Sequence, residues 1–447
     1  MFDYEFKMPC SYINKAQYYI KKAERSSKEV QKYSASAIEY ANQALAYSIP
    51  YKKNELKGVW IRPSQKNPEQ VAIALDKINS AGIKEVFLET YFHGKTIFPS
   101  ATMEYYAFTP QNEIFAGWDP LKVWIEEAHK RDMKIHIWFE TFYVGNKNPA
   151  YYPNSILAVR PEWANVTKKN FDSLTPVPSI SEHNGYFIDP ANPDAQLFLE
   201  NLLKEIITKY KPDGINLDYI RYPQSIAKKF STYDLSNWGY TEYAREEFKE
   251  RYGIDPLEIL PNDPMWIIWA KYRQDQITAF VSRIRKLTRK HNIKLTAVIF
   301  PDRNKALETK QQDWSTWSNL NYVDGFTPLL LTNDAKTAVV MLKDVIKNKQ
   351  DSTELYAGLF APFMGATNQD LLKQIYETRK IGAKGIIMFD YAHLNEGYRD
   401  TLSTRVFNEN YTQMLEEKSK NKKLLKPKNK DDKNKKSSNP KRGKNGK

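Results

Sequence analysis

The sequence predicts a (β/α)8 barrel for the middle of the chain, and two patterns support this fold class. Eight short apolar runs rich in β-branched and aromatic residues alternate with longer stretches of helical periodicity in the 447-residue chain. Eight strands that alternate with helices are the arrangement of a parallel barrel closed by its helices. In chain order, the runs are 59–62, 85–89, 134–140, 214–219, 295–300, 325–330, 355–360 and 385–390.

The connections between these runs form the second pattern. Connections from a helix back to a strand are short, as at 131–133 and 211–213, whereas those after the second, third and fourth runs cover about 92–118, 142–192 and 223–262. Long loops in a compact domain are usually functional, and in this fold the strand-to-helix loops surround the active site. No Gly-rich turn follows the first run, which disfavours a dinucleotide-binding domain.

Two flanking regions differ from the barrel in composition. Residues 12–47 contain no Pro or Gly and predict one or two amphipathic helices. A helical hairpin packed on the barrel is favoured over a partner-binding module. The residues expected on its apolar face are Ile13, Tyr18, Ile20, Ile38, Ala41 and Leu45. The predicted domains are therefore a helical extension at 1–56, the barrel at 57–413 and a disordered Lys-rich tail at 414–447.

The positive charge is concentrated in that tail. Residues 418–447 carry fourteen Lys and Arg against two Asp, so most of the net charge of +14 lies there and the remainder of the chain is close to neutral. A segment rich in Lys, Asn and Ser without aromatic residues is typical of disorder. We expect it to bind anionic polymers, such as acidic wall polymer, a membrane surface or nucleic acid, without sequence preference.

Several classes of protein are disfavoured. Cys10 is the single cysteine, which excludes an intrachain disulfide, a zinc knuckle or an iron–sulfur cluster. No apolar run approaches a membrane span, and the first residues lack the apolar segment of a signal peptide. This predicts a cytoplasmic protein, unless the natural start lies upstream. Metalloprotease, serine-hydrolase and phosphate-loop motifs are absent. A metal site from His93, His136 and nearby acids is disfavoured, and no cofactor is expected.

Strand periodicity identifies candidate functional side chains. In the fourth run Ile215 and Leu217 should face the helices, so Asn216 and Asp218 should face the barrel interior. Polar residues inside a barrel are costly unless they are used. The same alternation turns inward Trp60 with Arg62, Glu89 with Tyr91, and His136 with Trp138 and Glu140, and it brings Asp390 and Tyr391 to the end of the last run.

Carboxylates at one rim indicate glycosidic bond cleavage. This chemistry needs one carboxyl group that protonates the leaving oxygen and a second that attacks or activates water. Asp218 is the candidate nucleophile or base, Glu140 the first candidate acid, and Glu89 and Asp302 are reserves. A structural ion pair of Asp218 with a nearby arginine is the competing interpretation.

Aromatic residues near the rim are candidate platforms for sugar rings, although core packing explains each of them about as well. These are Trp60, Tyr91, Trp138, Tyr219, Tyr222 and Tyr391. Further substrate contacts are expected from Arg62, His93, His136, Asn216, Arg221 and Asp390. A cation from Arg221 or Arg62 would keep Asp218 ionised. His129 is expected to make a helix-to-barrel contact instead.

Several motifs between 58 and 400 resemble the glycosyl-hydrolase-like 10 family of bacterial proteins. They are 58–63 (GVWIRP), 88–91 (LETY), 98–100 (FPS), 119–121 (DPL), 127–129 (EAH), 136–140 (HIWFE), 187–190 (FIDP) and 213–223 (DGINLDYIRYP), of which the last is highly specific. The resemblance implies a barrel glycoside hydrolase acting on bacterial cell-wall or other polysaccharide glycans. It places the family's strand-four Asp at Asp218 and its Arg at Arg221. Family members usually carry a secretion or lipoprotein signal, which implies the cell envelope or the exterior.

The sequence therefore predicts a glycoside hydrolase that cleaves O-glycosidic bonds of a polysaccharide with two carboxylates. Two alternatives remain open. One is a catalytically inactive barrel that binds glycans. The other is a polyanion-binding protein that acts through its basic tail.

Overall fold

The computed structural model describes residues 2–225, 236–404 and 406–409. Its centre is a closed barrel, as predicted. Eight parallel strands form it, and β1 closes the ring by pairing with both β2 and β9. The predicted tail at 414–447 and the barrel boundary at 413 lie outside the described residues.

The strands coincide with the predicted runs to within a few residues. They are β1 (Leu56–Ile61), β2 (Glu85–Phe92), β4 (Lys134–Glu140), β5 (Gly214–Asp218), β6 (Lys294–Ile299), β7 (Gly325–Leu330), β8 (Glu354–Leu359) and β9 (Gly385–Met388). A short strand, β3 (Lys95–Thr96), pairs antiparallel with the end of β2 and begins the first long loop.

Helices precede, connect and follow the strands. The described helices are α1 (Phe2–Arg25), α2 (Val30–Ser48), α3 (Pro68–Ser80), α4 (Ala101–Tyr105), α5 (Pro120–His129), α6 (Ile156–Val159), α7 (Pro193–Tyr210), α8 (Glu242–Tyr252), α9 (Met265–Lys290), α10 (Arg303–Lys310), α11 (Trp314–Asn319), α12 (Ala335–Asn348), α13 (Asn368–Lys380) and α14 (Glu396–Leu402). In the part of the chain that is described, none of them is long and apolar enough to cross a membrane.

Helix starts follow local sequence signals. The Asn67 side chain accepts a hydrogen bond from the Gln70 backbone, and Pro68 occupies the first turn of α3. Asn192 caps α7 in the same way, with Pro193 after it. Such a cap satisfies backbone N–H groups that have no partner within the helix.

The apolar side chains form two layers, as the strand periodicity predicts. Ile215 and Leu217 are buried between the strands and the helices. Inside the barrel a separate cluster fills the centre with Leu56, Trp60, Phe87, Trp138, Val298, Tyr356 and Ile387. The barrel interior is thus a packed core rather than an open channel.

The predicted contact of His129 is confirmed at the end where the strands begin. His129 Nε2 lies 3.0 Å from Asp213 Oδ2, and the same carboxylate accepts a 2.8 Å bond from the Ile135 backbone. The carboxylate thereby ties helix α5 to the starts of β4 and β5.

The N-terminal helices form a hairpin, but most of its predicted apolar face is wrong. Leu45 packs against the main core as predicted, whereas Ala41 is exposed. Ile13, Tyr18, Ile20 and Ile38 are exposed. Tyrosine rings fill the interface instead: Tyr12 stacks on Tyr40 and Tyr47, and Tyr19 also stacks on Tyr40. A large amphipathic ring can cover apolar area while its hydroxyl stays wet, so tyrosine competes well for such a small interface.

Among the hairpin side chains that the structure describes, those at its C-terminal end join the main core. Ala46 and Ile49 are buried in the same cluster as the helices around the barrel. A buried ion pair between Glu55 and Arg379 holds the following segment against α13. The packed helical hairpin is therefore the arrangement found, although its outer half remains exposed.

Candidate active site

Two carboxyl side chains lie next to each other where β4 and β5 end. Glu140 and Asp218 are register partners in the parallel pair, which puts their Cα atoms about 4.8 Å apart. Asp218 is partly exposed. Its Oδ2 accepts a 2.9 Å hydrogen bond from Trp138 Nε1, and its Oδ1 accepts one of 2.7 Å from the Tyr219 backbone. Both donors stabilise the ionised carboxylate and fix its orientation.

Glu140 has a drier environment than Asp218. It is 2% exposed, and its Oε2 accepts a 2.8 Å bond from the His93 backbone. Burial raises the pKa of Glu140 well above its ordinary value, and the charges of Glu89 and Asp218 raise it further. A carboxyl group in this setting keeps its proton to a higher pH than an ordinary glutamate does.

Glu89 is the third carboxyl at this end of the barrel. It is 1% exposed, and both its oxygens accept from Arg62 Nε, at 3.0 and 3.2 Å. Burial raises the pKa of Glu89 to about 7 despite that pairing, and the charge of Asp218 contributes to the rise. Arg62 is thereby held above the ring of Trp138, with its guanidinium carbon 5.3 Å from the ring centroid.

The competing interpretation, a structural ion pair of Asp218 with Arg221, is not found. Arg221 binds Glu182 instead, at 2.8 and 3.1 Å. Lys310 lies 3.3 Å from the same carboxylate. Burial raises the pKa of Asp218, and the more distant charges of Arg221 and Arg62 oppose the rise only in part.

A hydrogen-bonded floor lies beneath the carboxylates. Trp60 Nε1 donates to Asn216 Oδ1 at 3.2 Å, and Asn216 Nδ2 donates to the hydroxyls of Thr296 and Thr327 at 2.9 and 3.1 Å. Asn216 faces inward as predicted, but it is fully buried. Its contacts identify it as a support for Trp60, so the predicted substrate contact is wrong.

Most of the predicted sugar platforms have no free face. Trp60 and Trp138 are 1% and 2% exposed. The ring of Tyr219 stacks on Tyr143, with centroids 4.6 Å apart, and the guanidinium carbon of Arg221 lies 4.8 Å from its centroid. Tyr219 therefore offers the site an edge and a hydroxyl group rather than a face.

Two predicted contacts are misplaced. In one case the alternation of side chains along the strand is interrupted, and in the other it does not tell which end of the strand the residue occupies. Tyr91 is fully buried on Phe139, at 4.6 Å, because a register shift between Glu89 and Tyr91 turns it to the outer layer. His136 faces inward, but it lies near the start of β4, where its Nε2 is 2.7 Å from Glu85. It therefore belongs to the opposite end of the barrel.

Four further predicted site residues lie in the loops after the strands. Tyr222 is buried in the outer core, so it is no platform. Asp302 is the N-cap of α10 and accepts from the Lys305 backbone, which explains this acid without catalysis. Tyr391 is partly buried against the main core. His93 contributes its backbone to Glu140, while its exposed ring lies edge-on to Tyr143.

Sequence reasoning missed an aromatic group on the other side of the mouth. Phe389 packs against the interior cluster, Phe363 packs on Phe389, and His393 contacts Phe363 with its ring edge. Asp390, a predicted contact, bonds His393 Nδ1 at 2.5 Å. Phe389 shares the parity of the inward Ile387 and could have been found, whereas no periodicity marks Phe363 or His393.

With this arrangement, one carboxyl group can protonate an oxygen of a bound molecule. The other can attack a neighbouring atom or remove a proton from a water. Glu140 supplies a proton-holding carboxyl group, and Asp218 supplies a more accessible carboxylate with two donors. No group of three or more His, Cys, Asp or Glu residues that could hold a metal ion occurs among the described residues. Glu140 and Asp218 are arranged as a pair of carboxyl groups at the ends of neighbouring strands.

Comparison with known families agrees with this geometry. The sequence profile of glycosyl hydrolase-like 10 matches residues 55–370, which include every strand that carries the carboxyl groups. The chain belongs to the glycosyl hydrolase-like 10 family. Relatives of this family member are similar over part of their length. Glycosyl hydrolase DigH of Escherichia coli K12 is 29% identical over 155 residues, 34% of either chain.

A second relative, glycosyl hydrolase YngK of Bacillus subtilis, is 22% identical over 270 residues, which are 54% of this chain and 44% of that protein. The family member thus spans less than half the length of the curated relatives it matches. Among solved structures, the catalytic domain of β-amylase from Paenibacillus polymyxa superposes with a TM-score of 0.52 at 12% identity, over 78% of this chain and 95% of that domain. This likeness shows the barrel fold alone.

Proposed function

We propose that this protein is a glycoside hydrolase that cleaves O-glycosidic bonds of a polysaccharide with Glu140 as acid and Asp218 as nucleophile or base. The observation that carries the proposal is the register pairing of Glu140 and Asp218 at the carboxyl ends of neighbouring strands. Catalytic groups of this fold lie there. The two environments also differ in the direction that the chemistry needs, since only Asp218 receives a side-chain hydrogen bond from a fixed donor.

The proton transfers follow from those two environments. The protonated Glu140 donates to the glycosidic oxygen as the bond from that oxygen to the anomeric carbon breaks. Asp218 either bonds to the anomeric carbon or removes a proton from the attacking water. In the first case water later releases the sugar, and Glu140 takes the proton of that water. Glu89 contributes its charge to the high pKa of Glu140 and anchors Arg62.

Bacterial cell-wall glycan is the proposed substrate class. The family membership and the names of the two relatives support a carbohydrate substrate. The long loops around the mouth support a polymer, because a single sugar needs far less surrounding surface. The resemblance of the motifs in 58–400 to bacterial family members supports the cell wall as the source.

A panel of purified glycans tests the proposal. Peptidoglycan strands, chitin, cellulose and starch are incubated with the native protein, and new reducing ends are counted. We expect release from at least one glycan, and we expect the nearly isosteric Asp218→Asn variant to lose several orders of magnitude in rate while it stays folded. Asp302→Asn is the matched control, because Asp302 caps a helix. More than about a tenth of native activity in Asp218→Asn would contradict the assignment.

A catalytically inactive glycan-binding barrel is the second candidate. Burial raises the pKa of Asp218 as well as those of Glu140 and Glu89, and a site in which all three hold protons has no base. Binding to a glycan of the panel without any release of reducing ends between pH 5 and 9 would favour this candidate.

A further inference from the structure

Among the residues that the structure describes, Phe363 gives the mouth of the barrel an aromatic wall that is open to solvent. Phe363, in the loop after β8, is 49% exposed. Its backbone N–H donates to the Phe389 carbonyl at 3.2 Å, and the two rings are 5.5 Å apart. Phe389 in turn closes the interior, with Trp60 and Trp138 each 6.0 Å away. Phe363 therefore sits on a rigid base directly above the floor of the site.

Polar groups stand beside this wall. His393 meets the Phe363 ring edge-on at 4.9 Å and uses its Nδ1 for Asp390. Arg62 is 54% exposed and uses its Nε for Glu89. Its two terminal amino groups have no hydrogen-bond partner among the residues described, and its guanidinium carbon lies 5.7 Å from the Phe389 ring. An apolar face thus adjoins unpaired hydrogen-bonding groups.

We propose that Phe363, His393 and Arg62 form a subsite that binds one pyranose ring of the glycan, with the sugar lying on Phe363. This inference rests on the proposed function and deepens it. A pyranose presents C–H bonds on its face and hydroxyl groups on its edge, which complement an aromatic ring flanked by donors. The sequence-predicted platforms cannot take this role, because Trp60 and Trp138 are buried and Tyr219 has both ring faces covered.

The subsite also adjoins the carboxyl groups of the active site. Arg62 connects the two, since it contacts Glu89 through Nε and lies over Trp138, whose indole N–H binds Asp218. A sugar on Phe363 would therefore be next to the ring that is cleaved. Phe363 is a binding residue under this inference and takes no part in proton transfer.

Binding is measured in the Asp218→Asn background, so that hydrolysis does not remove the ligand. The probes are insoluble peptidoglycan, chitin and cellulose, and bound protein is quantified after sedimentation. Phe363→Ala should raise the apparent dissociation constant roughly tenfold, which is typical for the loss of one stacking ring. Phe363→Leu should lose most of this affinity, and Phe363→Trp should restore it.

Tyr376→Ala is the matched control, because Tyr376 is similarly exposed on the outer helix α13. Unchanged binding of both Phe363→Ala and Phe363→Leu would overturn the inference, as would equal loss in Tyr376→Ala. If the native protein hydrolyses a glycan and these variants bind it normally, the inference fails and the proposed function stands. If they lose binding and the native protein hydrolyses nothing, the proposed function fails. No binding of the parent protein to any of these probes would overturn the inference, whereas the hydrolysis panel decides the proposed function separately.

Discussion

Glu85 and Glu89 lie four residues apart on β2 and face the same interior, yet their carboxyl groups behave oppositely. Glu85, at the start of the strand, bonds His136. Burial raises the pKa of Glu85, but the contact with His136 outweighs burial, so the pKa lies below its ordinary value. At the end of the strand, burial outweighs Arg62 and raises the pKa of Glu89 to about 7.

The same contrast separates the two ends of the barrel. The end where the strands begin surrounds a cavity of about 630 Å³, and its carboxylates are matched by cations, as Asp324 is by Arg285 and Glu354 by Lys294. The mouth gathers Glu89, Glu140 and Asp218 around Arg62. Paired charges are typical of structure, whereas carboxyl groups with raised pKa values in a cleft are typical of function. The inward direction of a side chain, as strand alternation predicts it, cannot distinguish these two kinds of carboxyl group.

The largest expected effect is at Glu140. Glu140→Gln should lower the hydrolysis rate by roughly two to four orders of magnitude, because a general acid is removed. The native rate should fall at high pH as Glu140 loses its proton, and this limb should be absent from the variant. Rates on the responsive glycan between pH 4 and 10 measure both effects. Glu85→Gln, at the other end of the same barrel, should keep near-native activity, and equal loss in both variants would erase the distinction.

Stability should respond to pH with opposite signs at the two positions of β2. Glu89 has a raised pKa, so its contribution is complete below about pH 4.5 and is lost as the pH rises through about 7. This loss is on the order of 2–3 kcal/mol in the free energy of unfolding, and Glu89→Gln should remove it. Glu85, with its lowered pKa, stabilises above the ordinary range and should do so less as the pH falls. Urea denaturation of both Gln variants at pH 4, 6 and 8 tests this, and parallel pH dependences would contradict it.

Trp138→Phe should have a smaller effect. It removes the indole donor to Asp218 Oδ2, which favours the ionised carboxylate, so the low-pH limb of kcat/KM should move upward by about one pH unit. Trp60→Phe is the control, because its indole binds Asn216 below the site. If Trp138→Phe weakens glycan binding and leaves the pH profile in place, Trp138 is a sugar platform after all.

The smallest effect on the barrel is expected from the tail. Deletion of 418–447 should abolish binding to polyanions such as heparin at low salt, because fourteen cationic residues are lost. Glycan hydrolysis and the melting temperature should stay as they are. Undiminished polyanion binding after the deletion would assign that property to another part of the chain.

The fold was predictable because the spacing of hydrophobic residues along a strand or helix follows the face that is buried. Ile215 and Leu217 identified the outer face of β5, and Asn216 and Asp218 therefore faced inward as observed. Tyr91 was misplaced because a bulge is a backbone event that two-residue periodicity does not register.

A second error of prediction concerned the position of a residue along its strand. His136 had the correct parity, but it is the third residue of β4 and so lies near the start of the strand; alternation alone does not distinguish the two ends. Phe363 lies in a loop, where side-chain direction follows from tertiary contacts with Phe389 rather than from any repeat. Ring faces are also invisible in a sequence, since the partners that cover Tyr219 come from the long 142–192 loop and from Arg221.

The Glu182 carboxylate makes the highly specific 213–223 motif depend on residues that are distant in the sequence. Glu182 joins Arg221 and Lys310, all three largely buried, and the pKa of Glu182 is held at about 2, against the effect of burial, chiefly by these two cations. Losing one partner of such a cluster typically costs about 3–5 kcal/mol. The unit that could be transplanted into another barrel is therefore discontinuous: the Asp218–Arg221 segment would need the 142–192 loop and the end of α10 to travel with it. Chimaeras between family members should therefore exchange these segments together.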